Sequence, residues 1–122
     1  MPIVDIRIVL AAQQAPDPKC ADALASAIGR VLAAAPGRVW VRLHPHPASA
    51  YAENDAPLQP QELPVFVTLL HAHPPQGDAL AQEVRALTAA IAQCLDRPGE
   101  LVHIEYAPAG AGRIAFGGRL VG

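Results

Sequence analysis

Apolar side chains recur at every second position at the start of this chain. Pro2, Val4, Ile6, Ile8 and Leu10 share one face, and Ile3, Asp5, Arg7 and Val9 share the other. A period of two is that of a strand with one buried face. The wholly apolar face is expected to meet a helix layer, and the face broken by Asp5 and Arg7 to meet water or a subunit seam. The period then changes. Leu24, Ile28, Val31 and Leu32 lie on one side of a helix predicted over Pro18–Ala34, with Asp17 as its N-cap and Ala35-Pro36-Gly37 as its stop. Alternation returns over Arg38–Leu43, with Val39, Val41 and Leu43 on one side and Trp40, Arg42 and His44 on the other. Two strands joined through one helix favour a parallel pair with a right-handed crossover.

The same order is then written again. Pro45–Glu62 is rich in proline, alanine and acidic residues and reads as a surface linker, with a short strand near Tyr51. Leu63-Pro64-Val65-Phe66-Val67-Thr68-Leu69-Leu70 repeats the character of the first strand. Pro74-Pro75-Gln76-Gly77 ends it and Asp78 caps a second helix, whose stripe is Leu80, Val84, Leu87, Ile91 and Leu95. Pro98-Gly99 stops that helix. Leu101–Ala107 reads as a strand with Val102, Ile104 and Tyr106 opposite His103 and Glu105. The tail, Gly110–Gly122, holds a glycine-bearing turn between short extended pieces. Residues 1–122 therefore form one domain of two β-α-β repeats, about 2–44 and 64–122, joined by a linker. The predicted fold class is α+β: duplicated β-α-β units, a four-stranded mixed sheet and two helices on one face. The opposite face is left open, which favours oligomerisation.

Composition narrows the class of partner. The 122 residues carry a formal net charge of -2, so no basic field points to nucleic acid or to an anionic membrane. No apolar run approaches the ~20 residues of a membrane span. The first residues lack the basic-then-apolar pattern of a signal peptide, and a cytoplasmic protein is expected. Cys20 and Cys94 each fall in a predicted helix, which favours reduced, half-buried thiols over a disulfide or a metal site.

One position carries unusual chemistry. Removal of Met1 would make Pro2 a secondary amine fixed to the end of a strand. An ordinary α-amino group titrates near pH ~8, and burial among apolar groups lowers that value. Such an amine is a candidate general base. Pro64 repeats the sequence pattern, but its nitrogen is an amide. Arg42 and Arg113, and with less reason Arg119, are candidate clamps for a carboxylate, because the guanidinium fork binds one bidentately. His103 and Glu105, on the face away from the helices, are candidate acid–base groups. Trp40 and Phe116 are candidate pocket walls. His44 and His46, like His71 and His73, alternate onto one face, but neither pair has a third ligand grouped with it, and no metal is expected.

Three features together carry a resemblance: Pro2-Ile3-Val4 after the initiator methionine, the duplicated β-α-β pattern, and Ala115-Phe116-Gly117-Gly118-Arg119-Leu120 near the end. In these the chain resembles the tautomerase superfamily, each half looking like one 4-oxalocrotonate tautomerase subunit. The length is similar to that of fused members such as the macrophage migration inhibitory factor-like proteins. The resemblance implies a homotrimer with pseudo-sixfold symmetry, Pro2 as general base in a pocket between subunits, a small keto or enol acid as substrate, and no cofactor. The arginine that smaller members place on the second strand falls at Trp40 and at His103 here, with Arg42 able to substitute. His71 and His73 stand where dehalogenating and decarboxylating relatives carry arginines. The first-half Gly-Gly turn is replaced by Tyr51-Ala52-Glu53-Asn54-Asp55, so the two ends of a subunit are not equivalent. The implied activity is that of a tautomerase. The alternatives are a trimeric, non-catalytic binding or scaffold protein of the same fold, or a decarboxylase or hydratase on the same pocket.

Overall fold

The computed structural model describes residues 2–122, so the fate of Met1 lies outside the described residues. Its centre is β1 (Ile3–Leu10), which lies inside a four-stranded sheet between β2 (Trp40–Pro47) and β3 (Val65–Leu70), with β4 (Val102–Tyr106) beyond β3. β1 runs parallel to β2, with Ile3 opposite Trp40 and Asp5 opposite Arg42. β1 runs antiparallel to β3, with Ile3 opposite Leu70 and Arg7 opposite Phe66. β3 runs parallel to β4, with Phe66 opposite His103 and Thr68 opposite Glu105. Each half is thus a parallel pair bridged by a helix, and the halves meet antiparallel through their first strands. The mixed α+β sheet is the one that the alternation predicts.

Two helices cover one face. α1 (Cys20–Val31) packs on β2, α2 (Gly77–Leu95) packs on β4, and they pack on each other. Val4, Ile6, Ile8 and Leu10 of β1 meet Leu24 and Ile28 of α1, Leu87 and Ile91 of α2, and Val65, Val67 and Leu69 of β3 in one buried cluster. Each such side chain taken fully out of water contributes about 1.5–3 kcal/mol. On the open face Arg7 is exposed and Phe66 is 40 % exposed. Val9, expected on that face, is instead buried at 1 % exposure. Among the described residues no helix is long and apolar enough to cross a membrane.

Several boundaries differ from those read in the sequence. Asp17 does not cap α1. Its Oδ1 accepts the Lys19 N–H at 2.8 Å and its carbonyl accepts the Cys20 N–H at 2.9 Å. Proline at position 18 keeps Asp17 out of the helical region, and the carboxylate closes a turn ahead of the helix instead. Likewise Gln76 occupies the N-cap position of α2 and Asp78 sits inside the first turn, where its charge complements the positive helix end. α2 stops at Leu95, where Asp96 turns left-handed (φ 53°), ahead of Pro98-Gly99. β2 starts at Trp40 and runs through Pro45 to Pro47, into the supposed linker. An edge strand tolerates proline, because a missing N–H on its outer side breaks no ladder bond. Near Tyr51 there is no strand, only a single bridge between Glu53 and Ala56. The Tyr51 ring instead folds back against Phe66 at 5.8 Å.

Candidate active site

Pro2 is buried at the leading end of β1, where its carbonyl accepts the Trp40 N–H at 3.1 Å. That bond extends the parallel pairing of β1 and β2 by one position. The Trp40 indole, 41 % exposed, donates Nε1–H to the Gly37 carbonyl at 3.0 Å. Phe116 meets it edge-on, with centroids 5.0 Å apart and planes at 88°. Phe116 arrives there on a hairpin of β5 (Ala115–Phe116) and β6 (Arg119–Leu120). Gly117 and Gly118 form its turn with φ of 58° and 85°. Two positive φ values in succession match the twist of a two-residue hairpin and favour glycine at both sites. Pro2, Trp40 and Phe116, named separately from the sequence, therefore converge at one end of the sheet.

Arg113 lies in the turn ahead of the hairpin, its N–H donating to the Gly110 carbonyl at 2.8 Å. It lines a cleft of about 280 Å³ with Leu70, Ala107, Pro108, Ala109, Gly110 and Ile114. Leu70 is the β3 partner of Ile3, which brings this cleft to the Pro2 end of the sheet. Larger clefts lie elsewhere: about 390 Å³ beside Cys20 and Cys94, and about 560 Å³ between α1 and the turn ahead of β2. Both thiols are free, and burial raises the Cys20 thiol above its ordinary range. Pro2 lines none of these three clefts.

Arg42 is committed within the chain. Its Nε reaches Asp5 Oδ1 at 2.6 Å and its Nη2 reaches Asp5 Oδ2 at 2.8 Å. The Arg42 hydrogen bonds hold the Asp5 carboxyl below the usual carboxylate range, with His44, 3.5 Å away, adding to the effect. Glu105 and His103 are exposed on β4 at the other edge of the open face. His103 tilts against Phe66 at 5.5 Å. Arg42, Asp5, Thr68 and Glu105 form one row across four strands, so Arg42 and Glu105 stand three strand spacings apart, roughly 14 Å. One chain does not bring them together. Arg119 is exposed on β6. The remaining histidines are engaged singly: His46 Nε2 with the Ala50 carbonyl at 2.9 Å, and His73 Nε2 with the Gly122 carbonyl at 2.8 Å. Among the described residues no three metal-ligating side chains are grouped.

Sequence reasoning missed one polar cluster. Glu83 of α2 accepts the Tyr106 hydroxyl on Oε2, and its Oε1 stands 4.0 Å from His71 Nε2. Burial and the Glu83 bond together push the Tyr106 phenol well above its ordinary range, so it stays a neutral donor. A signal for the cluster was present: Glu83 falls between Leu80, Val84 and Leu87, placing a carboxylate next to the buried stripe of the helix.

No protein-family model matches the chain, and no curated protein matches its sequence. Solved structures do match. A fused 4-OT, wild type, described as a symmetric trimer, is 16 % identical with a TM-score of 0.72, covering 98 % of this chain and 94 % of its own. A macrophage migration inhibitory factor from Oncomelania hupensis is 17 % identical with a TM-score of 0.73, covering 99 % and 82 %. A malonate semialdehyde decarboxylase inhibited by 3-bromopropiolate is 24 % identical with a TM-score of 0.64, covering 92 % and 88 %. Two β-α-β units around an antiparallel seam, with a C-terminal Gly-Gly hairpin folded to the head of β2, give this chain the fold of the tautomerase superfamily.

Proposed function

We infer that the chain is a cofactor-independent tautomerase in which Pro2, exposed as an amine by removal of Met1, is the general base. The observation that carries this reading is the burial of Pro2 at the head of β1, at the end of the sheet that also holds the Trp40–Phe116 pair. An amine in such a place holds a proton weakly and is available as a base near neutral pH. The substrate is a small enol or 2-oxo carboxylic acid. Neutral Pro2 takes a proton from the enol oxygen or from carbon and returns it elsewhere on the conjugated system. Arg113, in its cleft beside Leu70, holds the carboxylate, and developing charge is stabilised there. A similar structure described as inactivated by 2-oxo-3-pentynoate is consistent with a keto-acid pocket.

The active molecule is a homotrimer in the cytoplasm. The fused 4-OT neighbours are described as trimers, and the open sheet face carries Trp40 and Phe66 unburied. In that assembly His103 and Glu105 of one copy complete the pocket of the next, while Arg42 stays on Asp5. The experiment is ketonisation of phenylenolpyruvate or 2-hydroxymuconate by wild type and Pro2→Ala, with mass spectrometry of the mature terminus. Loss of turnover in Pro2→Ala, together with a chain lacking Met1, is the expected result. Unchanged turnover rejects the reading.

One observation favours a second reading. The bidentate Asp5–Arg42 pair leaves that guanidinium no free fork for a substrate. A retained Met1 and no turnover would identify a trimeric, non-catalytic binding protein of the same fold. Release of carbon dioxide or addition of water, in place of ketonisation, would identify a decarboxylase or a hydratase.

A further inference from the structure

The antiparallel register of β1 and β3 sets Val4 against Leu69 and Ile3 against Leu70. Continued by one residue, it sets Pro2 against His71. Strand alternation puts both on the helix side, since Pro2 is in phase with buried Val4 and His71 with buried Leu69. Two independent contacts agree with that placement. His71 Nε2 faces Glu83 Oε1 of α2 at 4.0 Å, and the His71 carbonyl accepts the Gly110 N–H at 2.9 Å, which pins the backbone at this point. Glu83 is itself anchored from β4 by the Tyr106 hydroxyl. The His71 and Glu83 side chains are only 24 % and 15 % exposed, so the pair is largely screened from solvent.

We propose that His71 is the acid partner of Pro2, and that Glu83, anchored by Tyr106, is the residue that orients it. The proposal rests on the tautomerase reading and extends it to a second proton-carrying group. The Glu83 carboxylate, 4.0 Å from Nε2, electrostatically favours the neutral tautomer that bears hydrogen there and leaves Nδ1 for the substrate. The groups about the imidazole are Glu83 from α2 and Tyr106 behind it from β4, with Pro2 across the extended β1–β3 register and Arg113 in the cleft lined by Leu70 and Gly110.

The ketonisation step balances with these groups alone. The Pro2 nitrogen takes the enol O–H proton, and the oxygen lone pair closes to a carbonyl. The C=C electron pair takes the Nδ1 proton of imidazolium, forming the C–H bond. Prolinium and neutral imidazole remain, and a proton passing from the first to the second through water resets both. Substrates that suit this two-group relay are enols whose oxygen and accepting carbon lie on opposite sides of the bound molecule. A single amine must swing between those positions, whereas two groups need not.

The test compares His71→Asn, Glu83→Gln, Tyr106→Phe and Pro2→Ala with wild type for kcat, KM and their pH profiles. Pro2→Ala abolishes turnover if the tautomerase reading holds. His71→Asn then lowers kcat about 100-fold, the scale of general acid catalysis, and leaves KM within about threefold. Glu83→Gln lowers kcat about 10-fold at unchanged KM. Its imidazole nitrogen shifts, read by NMR, move from the Nε2–H tautomer toward a mixture. Tyr106→Phe gives the same NMR change at smaller size and serves if Glu83→Gln does not fold. Wild-type kcat in His71→Asn, with Pro2→Ala inactive, overturns the relay and leaves the tautomerase reading standing. Full turnover in Pro2→Ala overturns both.

Discussion

Arg42 closes on Asp5 with both arms of its fork, Nε on Oδ1 at 2.6 Å and Nη2 on Oδ2 at 2.8 Å, across the parallel pairing of β1 and β2. The pair locks the rim of the open sheet face. Because the folded-state carboxyl of Asp5 is depressed, the stability it contributes is present above the unfolded value near pH ~4 and is lost as pH falls through the folded value. Asp5→Asn should therefore lower the Tm at neutral pH, and the gap to wild type should close on acidification. Thermal melts of both proteins between pH 7 and pH 2 check this. A gap that is constant across the range contradicts it.

The edge-on contact of Trp40 with Phe116 is a point where the C-terminal hairpin touches the head of β2. Aromatic pairs of this geometry couple by about 0.5–1.5 kcal/mol beyond their burial. A double-mutant cycle of Trp40→Leu and Phe116→Leu, read by urea denaturation, should give a coupling of that size. Additive losses would show that the hairpin is held by its other contacts.

Gly110 is buried where three segments meet. A Cβ there would stand 3.0 Å from Ile114 Cγ2, 3.4 Å from Leu70 Cδ1 and 3.5 Å from the His71 carbonyl oxygen. Gly110→Ala overpacks the site and should cost about 1–3 kcal/mol. Chemical denaturation measures the loss. Pairing the change with Ile114→Ala, which removes the Cγ2 methyl group that the new Cβ meets, should give a combined loss smaller than the sum of the two single losses.

Arg97 has no acidic partner in its two strong contacts. Its Nη1 donates to the Leu63 carbonyl at 2.6 Å and its Nη2 to the Val9 carbonyl at 2.9 Å, joining the end of β1 to the entry of β3. Burial pulls its pKa below the ordinary arginine range. Arg97→Met strips two carbonyls of buried residues of their donors and should cost about 2–5 kcal/mol. Amide hydrogen exchange should quicken around Val9 and Leu63 before it does around Ile3. Uniform change along β1 would place the effect elsewhere.

The two tyrosines set an alkaline limit. The Tyr51 phenol is pushed up to about 12, first by its hydrogen bond to Glu53, 2.6 Å away, and Tyr106 lies higher still. A raised folded value means that the stabilisation is complete below the unfolded value near pH ~10 and disappears as pH rises through the folded one. Absorbance titration should show almost no tyrosinate at pH 10, and Glu53→Gln should bring one of the two phenols down toward its ordinary value.

Legibility from sequence followed periodicity. The alternating apolar residues from Pro2 to Leu10 and the stripe from Leu80 to Leu95 determine two elements and the face that each buries, and the repeat of the pattern gives the sheet its symmetry. Boundaries were less legible where a local side chain competes with the helix or strand rule. Asp17 spends its carboxylate on a turn before α1, and Pro45 and Pro47 stay in a strand because that strand is an edge. Within the site, Pro2, Trp40 and Phe116 were readable as separate candidates. Their meeting was not, because it depends on where the C-terminal hairpin comes to rest. Glu83 was hidden by its neighbours, since a charge inside an apolar stripe reads as helix surface until the partner on another strand is known. Arg42 was readable as a fork, but not that Asp5, one strand over, already fills it.

The prolines of β2 have a consequence for how this sheet can grow. Pro45 and Pro47 leave the distal half of that outer margin with missing donors, so an incoming extended peptide finds few hydrogen-bonding groups there. Fibril-type stacking or strand exchange between molecules is thereby steered toward the β4 margin. A cross-linking or aggregation hotspot map of a destabilised variant should be lopsided accordingly.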